Sequence, residues 1–352
     1  MVVPYRPQDG ALGKEDVVRD RGSTWEVMLD HMSRHRVCVA PMMARTDRHE
    51  RYFLRLISKH TFLYSEMVTA GAVLHGDPAR VFAFDNFEQP VALQLGGCDP
   101  TELAEASSKG EDEGYNEINL NVGCPSSRVQ NAKFGARLMM HPDLVARCVL
   151  EMSGAVSVPV TVKTRIGVDE RDSYEDLYRF VSIVADAGCQ TFFVHARKAL
   201  LSGLSPKQNR EIPPLKYERV YRLKSDLPEL EIIINGGILD LCSAKRHLEF
   251  VDGVMIGRAA YQDPYLLSQV DRLFFSEAAD VPSRKDLVEA YKPYIEACLD
   301  KGVRLSSLSR HMMGLYRGQP RGKAWRKYLS DFSRMPTSNV SVIDGALEQV
   351  SG

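Results

Sequence analysis

Apolar residues along this chain come in short dense runs, separated by longer amphipathic stretches. Eight of these runs read as strands: Val37–Ala40, Phe62–Met67, Val91–Leu95, Glu117–Asn121, Val158–Lys163, Thr191–His195, Glu231–Asn235 and Gly253–Gly257. Several are apolar nearly throughout, such as Val158-Pro159-Val160-Thr161-Val162 and Ile232-Ile233-Ile234, as expected for parallel strands covered on both faces. Glu117–Leu120 alternates, like a strand entering a core. Helix signals fill the intervals. Asp47 and Glu50 have capping-box spacing ahead of Tyr52–Ile57. Asp99-Pro100 opens Thr101–Glu113, and Asp172-Ser173 opens Tyr174–Ala187 with Gly188 behind it. Val129–Met140 reads as a helix or helical turns. Eight strand–helix units over about 230 residues match an α/β fold of the (β/α)8 TIM-barrel type in count and span. An open, doubly wound sheet is the competing reading.

After Arg258 the pattern turns helical, with Asp286–Leu299, Ser307–Leu315, Ala324–Leu329 and Val342–Val350 and no convincing strand. The seam falls at Pro282-Ser283. It divides a barrel, residues 31–282, from a C-terminal all-helical domain, residues 283–352. Residues 1–30 are polar and carry Pro4, Pro7, Gly10, Gly13 and Gly22; they read as a loosely ordered leader.

Composition narrows the setting. The formal net charge of the 352 residues is -1, so a nucleic-acid site must be a local patch. The seven cysteines are scattered and contain no C-x-x-C pair, which argues against a disulfide framework or a zinc site and for a reducing, cytoplasmic setting. No apolar run is long enough for a signal peptide or a membrane span. Nothing calls for a membrane, a metal or an obligate protein partner.

The carboxyl ends of the strands carry the chemistry. They read Ala40-Pro41-Met42-Met43, Gln94-Leu95-Gly96-Gly97, Asn119-Leu120-Asn121-Val122-Gly123-Cys124-Pro125-Ser126, Lys163-Thr164-Arg165, His195-Ala196-Arg197, Asn235-Gly236-Gly237 and Ile256-Gly257-Arg258. In a barrel these ends line the mouth, where sites are built. The Cys124 thiol sits at a turn and has three readings: nucleophile when ionised, general acid when protonated, or a small buried apolar group. Glycines after the seventh and eighth strands uncover backbone N–H groups for a phosphate, with a short helix end behind them. Lys163 ends an apolar strand and points to the mouth. With Gln94 and His195 at hand, a flat polar cofactor such as a flavin fits, the lysine favouring negative charge on its reduced ring.

These motifs, in this order, resemble the tRNA-dihydrouridine synthase family. The stretches are Val39-Ala40-Pro41-Met42, Gln94-Leu95-Gly96, Asn119–Pro125, Lys163-Thr164-Arg165-Ile166-Gly167, His195-Ala196-Arg197 and Asn235-Gly236-Gly237-Ile238. Tyr64–Thr69, Leu201–Lys207 and Asn209–Leu215 resemble the bacterial A-type subfamily. Met43-Ala44-Arg45 departs from the family's Leu-Asp-Trp. The resemblance implies an FMN-binding TIM barrel followed by a helical tRNA-binding domain. It implies that NADPH reduces FMN, that the flavin gives hydride to C6 of uracil in the tRNA D-loop at positions 20 and 20a, and that an acid protonates C5. Cys124 matches that acid. Pro41, Met42, Met43, Gln94, Lys163 and His195 match FMN positions, as do Asn235, Gly236, Gly237, Gly257 and Arg258. Asn121 matches a position that meets the substrate base, and Arg197 is expected on the substrate side with it.

From Arg304 to Lys327 the chain has seven basic residues and no acidic one, with Tyr316 and Trp325 interleaved. Such a run in a nearly neutral chain reads as a phosphate-contacting surface, Lys323 and Arg326 included. Trp325 reads as packing. Lys207 and Arg210, on the loop after the sixth strand, can hold RNA from the barrel side, and a uracil inside folded tRNA must leave its stack to reach a barrel mouth. Two other readings stand beside this one: a flavin barrel acting on a free pyrimidine, which needs no basic tail, and an RNA-binding protein with a barrel no longer catalytic.

Overall fold

The structure, a computed structural model, describes residues 33–278 and 280–351; the expected leader, residues 1–30, lies outside them. Nine strands form one sheet: β1 Val37–Val39, β2 Leu63–Tyr64, β3 Val68–Thr69, β4 Val91–Gly96, β5 Glu117–Asn121, β6 Val160–Arg165, β7 Thr191–His195, β8 Glu231–Asn235 and β9 Gly253–Ile256. Their order is β1-β9-β8-β7-β6-β5-β4-β2, with β3 on β4 and every pair parallel. The ends meet through a parallel bridge between Cys38 and Phe62. There Val39 N–H donates to Phe62 O at 2.9 Å and Phe62 N–H to Val37 O at 3.0 Å. The sheet is therefore a (β/α)8 barrel, and the doubly wound alternative falls.

Five of the eight expected strands differ at their bounds, and two of those shifts have a side-chain reason. Of Phe62–Met67 only Leu63–Tyr64 is strand, and pairing with β4 resumes beyond it at Val68–Thr69, because Ser65 Oγ, not a backbone carbonyl, accepts Gln94 N–H at 2.9 Å. The run Val158–Lys163 starts later, at Val160, because Pro159 has no N–H for the ladder. The Asp47–Glu50 capping box is half made. Asp47 Oδ1 accepts the N–H groups of His49 and Glu50 at 3.0 Å, while Asp47 Oδ2 turns to Arg310. Val129–Met140 is two pieces, a helical turn Ser127–Asn131 and a 3-10 stretch Gly135–Met140.

Period-two alternation decides what fills the barrel. One interior layer is apolar: Cys38, Ala40, Phe62, Tyr64, Ala92, Phe193, Ile233 and Met255. Beside it, Glu117, Asn119 and Asn121 of β5 and Thr161 of β6 also lie buried. Their polar groups bond to one another, as buried polar groups must. Ile118, Leu120 and Val162, on the opposite parity, are fully buried as well.

Among the described residues no strand follows Ile256, and no helix is long and apolar enough to cross a membrane. Ser283 caps the helix Arg284–Asp300 with a full capping box to Asp286. This helix packs on the helix Arg48–Ile57. Tyr291 Oη donates to His49 O at 3.0 Å, and the rings of Tyr52 and Tyr294 stack with centroids 3.9 Å apart. Barrel and appendage fall in one compact unit that begins at Ser33. Trp325 is fully buried, donates Nε1–H to Met312 O at 3.0 Å and lies against Tyr316.

Candidate active site

The Cys124 loop leaves the carboxyl end of β5 and is tied down on both sides of the thiol. Asn121 Oδ1, at the end of β5, accepts the N–H groups of Gly123 at 3.2 Å and Cys124 at 3.0 Å. Cys124 O accepts Ala136 N–H at 2.9 Å. That approach requires Gly135, at φ 72°, since a Cβ there would lie 2.5 Å from Cys124 O. Cys124 is half-buried, with Sγ 3.5 Å from Ser126 Oγ.

Two residues fasten this loop to the one after β7, and the motif reading assigned neither a role. Arg165 is buried and donates Nε–H to Gly123 O at 2.9 Å, and Nη1–H to Lys198 O at 3.0 Å and Asn209 O at 3.1 Å. Gln130 Nε2 reaches Pro125 O at 2.7 Å and Leu201 O at 2.8 Å. Asn209, fully buried, holds the second loop from within through Leu200 N–H and Leu200 O. Arginine beside Lys163 was visible in the sequence; its attachment to three carbonyls was not.

Lys163, Asn235, His195 and the glycines converge opposite the thiol. Lys163 Nζ donates to Asn235 Oδ1 at 3.2 Å, and Asn235 Nδ2 to Met255 O at 2.6 Å. Desolvation, then the nearby Arg165 charge, pull the Lys163 ammonium down to about 7, with Cys124 opposing. A negative ligand would relieve both causes. His195 Nδ1 is buried with no partner among the described residues. Gly236 and Gly237 take φ 113° and 71°, and a Cβ on Gly237 would stand 2.6 Å from both Leu215 Cδ1 and Tyr217 Oη. The orphaned nitrogen, the strained lysine and the bare backbone fit a polar, anionic cofactor.

The remaining expected residues are spread from the end of β1 to the helix Gly322–Phe332. Pro41 and Met42 are half-buried at the end of β1, where Met42 O accepts Arg45 and Thr46 N–H, and Met43 is exposed. Ala44 takes φ 58°, a conformation that aspartate tolerates better than alanine. Gln94 is buried and paired with Asn119 and Asn121. Around the rim, Arg197 donates to Pro213 O, and Arg258 pairs with Glu211 beside Gly257. Lys207 and Arg210 are exposed. Lys323 is exposed and Arg326 half-exposed on the helix Gly322–Phe332, neither in an ion pair among the described residues. Arg310 is not part of a free basic face: it pairs with Asp47, as does His311.

His35 and His195 have opposite charge states. Burial disfavours charged His35, but the carboxylates of Glu117 at 2.6 Å and Glu231 at 2.8 Å outweigh it and raise the ring to about 9. Burial would raise Glu231, yet His35 holds it down at about 2. Unfolded histidine releases its proton near 6.5. The contribution of His35 is thus complete below about 6.5 and fades as pH rises to about 9. Lys163 has the opposite slope, gaining stability as pH rises above about 7, so a bulk melting curve mixes the two. Histidine 15N NMR separates them. His35 should keep both ring nitrogens protonated at pH 8, while His195, driven well below its ordinary value by burial and by Arg165, Lys163 and Arg197, should stay neutral at pH 6. A neutral His35 at pH 8 would refute the ion pair.

Comparison with known proteins agrees with this geometry. The pattern of the dihydrouridine synthase (Dus) family matches residues 38–349. The tRNA-dihydrouridine(20/20a) synthase of Synechocystis sp. is 57% identical over 310 residues, covering 88% of this chain and 93% of the relative. Those of Vibrio parahaemolyticus and Escherichia coli are 54% and 53% identical, covering 90% of this chain and 97% and 92% of theirs.

Proposed function

Because the chain belongs to the dihydrouridine synthase family, we propose that it is a flavin-dependent oxidoreductase that reduces the C5=C6 bond of uridine in the tRNA D-loop, at positions 20 and 20a, to dihydrouridine. FMN is the bound cofactor, NADPH the reductant and Cys124 the proton donor to C5. The observation that carries this reading is the convergence of Cys124, Asn121, Gln94, Lys163 and His195 at one barrel mouth.

FMN supplies a hydride donor at that mouth. Gly236, Gly237, Gly257 and Arg258 hold its phosphate, Asn235 anchors Lys163, and Lys163 with His195 and Gln94 binds the polar edges of the ring. Pro41, Met42 and Met43 cover it from the end of β1. Asn121 and Arg197 meet the uracil, and Cys124 gives up its proton at C5. The cytoplasm provides both tRNA and NADPH. Residues 283–352 act as the tRNA-binding domain, and Lys207 and Arg210 hold the RNA from the barrel side.

The test is direct: purified protein, FMN, NADPH and an unmodified tRNA transcript. Dihydrouridine mapped at positions 20 and 20a supports the reading; its absence, or reduction of free uracil instead, overturns it. The helical part has its own test. Lys323→Ala with Arg326→Ala should weaken tRNA binding and lower the slope of log K against log salt by roughly 0.7–0.9 per lost phosphate contact. Flavin content and NADPH oxidation should stay normal. Superimposable salt titrations would make this face merely solvated.

A further inference from the structure

A file of hydrogen bonds runs inside the barrel from the foot of β5 to the Cys124 loop. Cys124 N–H donates to Asn121 Oδ1 at 3.0 Å, and Asn121 Nδ2 to Gln94 Oε1 at 3.0 Å. Gln94 Nε2 donates to Asn119 Oδ1 at 2.7 Å, and Asn119 Nδ2 to Thr161 Oγ1 at 2.8 Å. Thr161 Oγ1 donates in turn to Glu117 Oε1 at 2.7 Å, beside Tyr64 Oη at 2.9 Å. His35 holds the other oxygen. We infer that Thr161 and Glu117 are positioning residues for the Cys124 loop, fixing through Asn119, Gln94 and Asn121 which way each amide faces. The inference rests on the reading of Cys124 as the proton donor.

The direction of every bond follows from the foot. Glu117 Oε1 takes the hydroxyl protons of both Tyr64 and Thr161, so the single hydroxyl proton of Thr161 is committed downward. Thr161 can then offer Asn119 only a lone pair, which draws the Asn119 NH2 toward it and turns its oxygen to Gln94. Gln94 must therefore present its NH2 below and its oxygen above, and Asn121 likewise. The last oxygen in the file faces the backbone of Gly123 and Cys124. Reversing any one amide would set NH2 against N–H in a buried place, where unmatched donors are costly. Glu117, Asn119 and Thr161 lie at 0%, 0% and 1% exposure, out of reach of ligands at the mouth. They act on the loop through the file.

Thr161→Val keeps the shape and removes the hydroxyl. It is preferable to a Glu117 variant, which would strand charged His35 in the core. In the free protein, peptide-level mass spectrometry of iodoacetamide labelling should show Cys124 reacting roughly five- to tenfold faster. Cys38 and Cys189, buried in the barrel, should stay as slow as in wild type. Dihydrouridine turnover should fall roughly ten- to hundredfold, with the KM for tRNA unchanged. Thr161→Ser should restore both. Unchanged Cys124 labelling, a rise shared with Cys38 and Cys189, or failure of serine to rescue would each overturn the inference. Faster Cys124 labelling with wild-type turnover would leave the file standing and count against Cys124 as the acid.

Discussion

Cys124→Ala protein should bind FMN and oxidise NADPH like wild type, yet form dihydrouridine roughly 10²–10⁴-fold more slowly, the usual contribution of a general acid. Hydride arriving at C6 of uracil leaves electron density at C5 that only a proton can quench. A cysteine thiol beside C5 would supply it in one step; without it, the proton must come from water or another, less well placed donor. The structure holds Cys124 from both sides of its peptide, through Asn121 Oδ1 and Ala136 N–H, so truncation at Cβ should disturb the chemistry and leave the loop in place. A mass-based dihydrouridine assay beside an NADPH oxidation trace reads both halves. Turnover near wild type would remove Cys124 from the acid role. Loss of NADPH oxidation together with turnover would place the defect in the flavin site instead.

Much of this site was legible in the sequence because parallel barrel strands announce both their cores and their ends. Glu117–Asn121, Thr191–His195 and Glu231–Asn235 are strands over those very residues, since each is bounded by turn chemistry. The contents of the lumen were not legible. In Glu117-Ile118-Asn119-Leu120-Asn121 the alternation is plain, but alternation alone suggests one face toward water. A closed barrel instead turns that polar face onto its own axis, where Gln94, Thr161 and Tyr64 complete it. Those partners are far apart in the chain, and only the register of β4, β5 and β6 sets Gln94, Asn119 and Thr161 side by side. One residue of the basic run near the C-terminus, Arg310, was illegible in a similar way. Arg310 reads as one more cation in a row, whereas the fold carries it to Asp47, a helix cap whose second oxygen was free to pair. Charge in a sequence counts residues; the fold decides which of them already have partners.

Lys163→Ala should slow bleaching of the flavin by NADPH roughly 10²–10³-fold, the scale of removing one fixed electrostatic group from a dry site. The argument starts from what burial costs this lysine. Its ammonium stands among protein atoms with Arg165 nearby and a single neutral partner, Asn235 Oδ1, and its ionisation is accordingly drawn down to about 7. A group held in that state gains most from negative charge placed beside it. A flavin bound there would gain such charge on reduction, and Lys163 would then hold its proton more firmly and favour that reduction. Wild-type bleaching should therefore lose rate on the alkaline side, and alanine at 163 should abolish that limb of the profile. FMN affinity should fall as well, measured by titrating the apoprotein with FMN and following its fluorescence. Stopped-flow traces at pH 6 to 10 separate the cases. An unchanged bleaching rate with unchanged FMN affinity would put Lys163 outside the flavin site. A uniform loss with the alkaline limb retained would assign that limb to another group at the mouth, leaving Lys163 as a contact for binding alone.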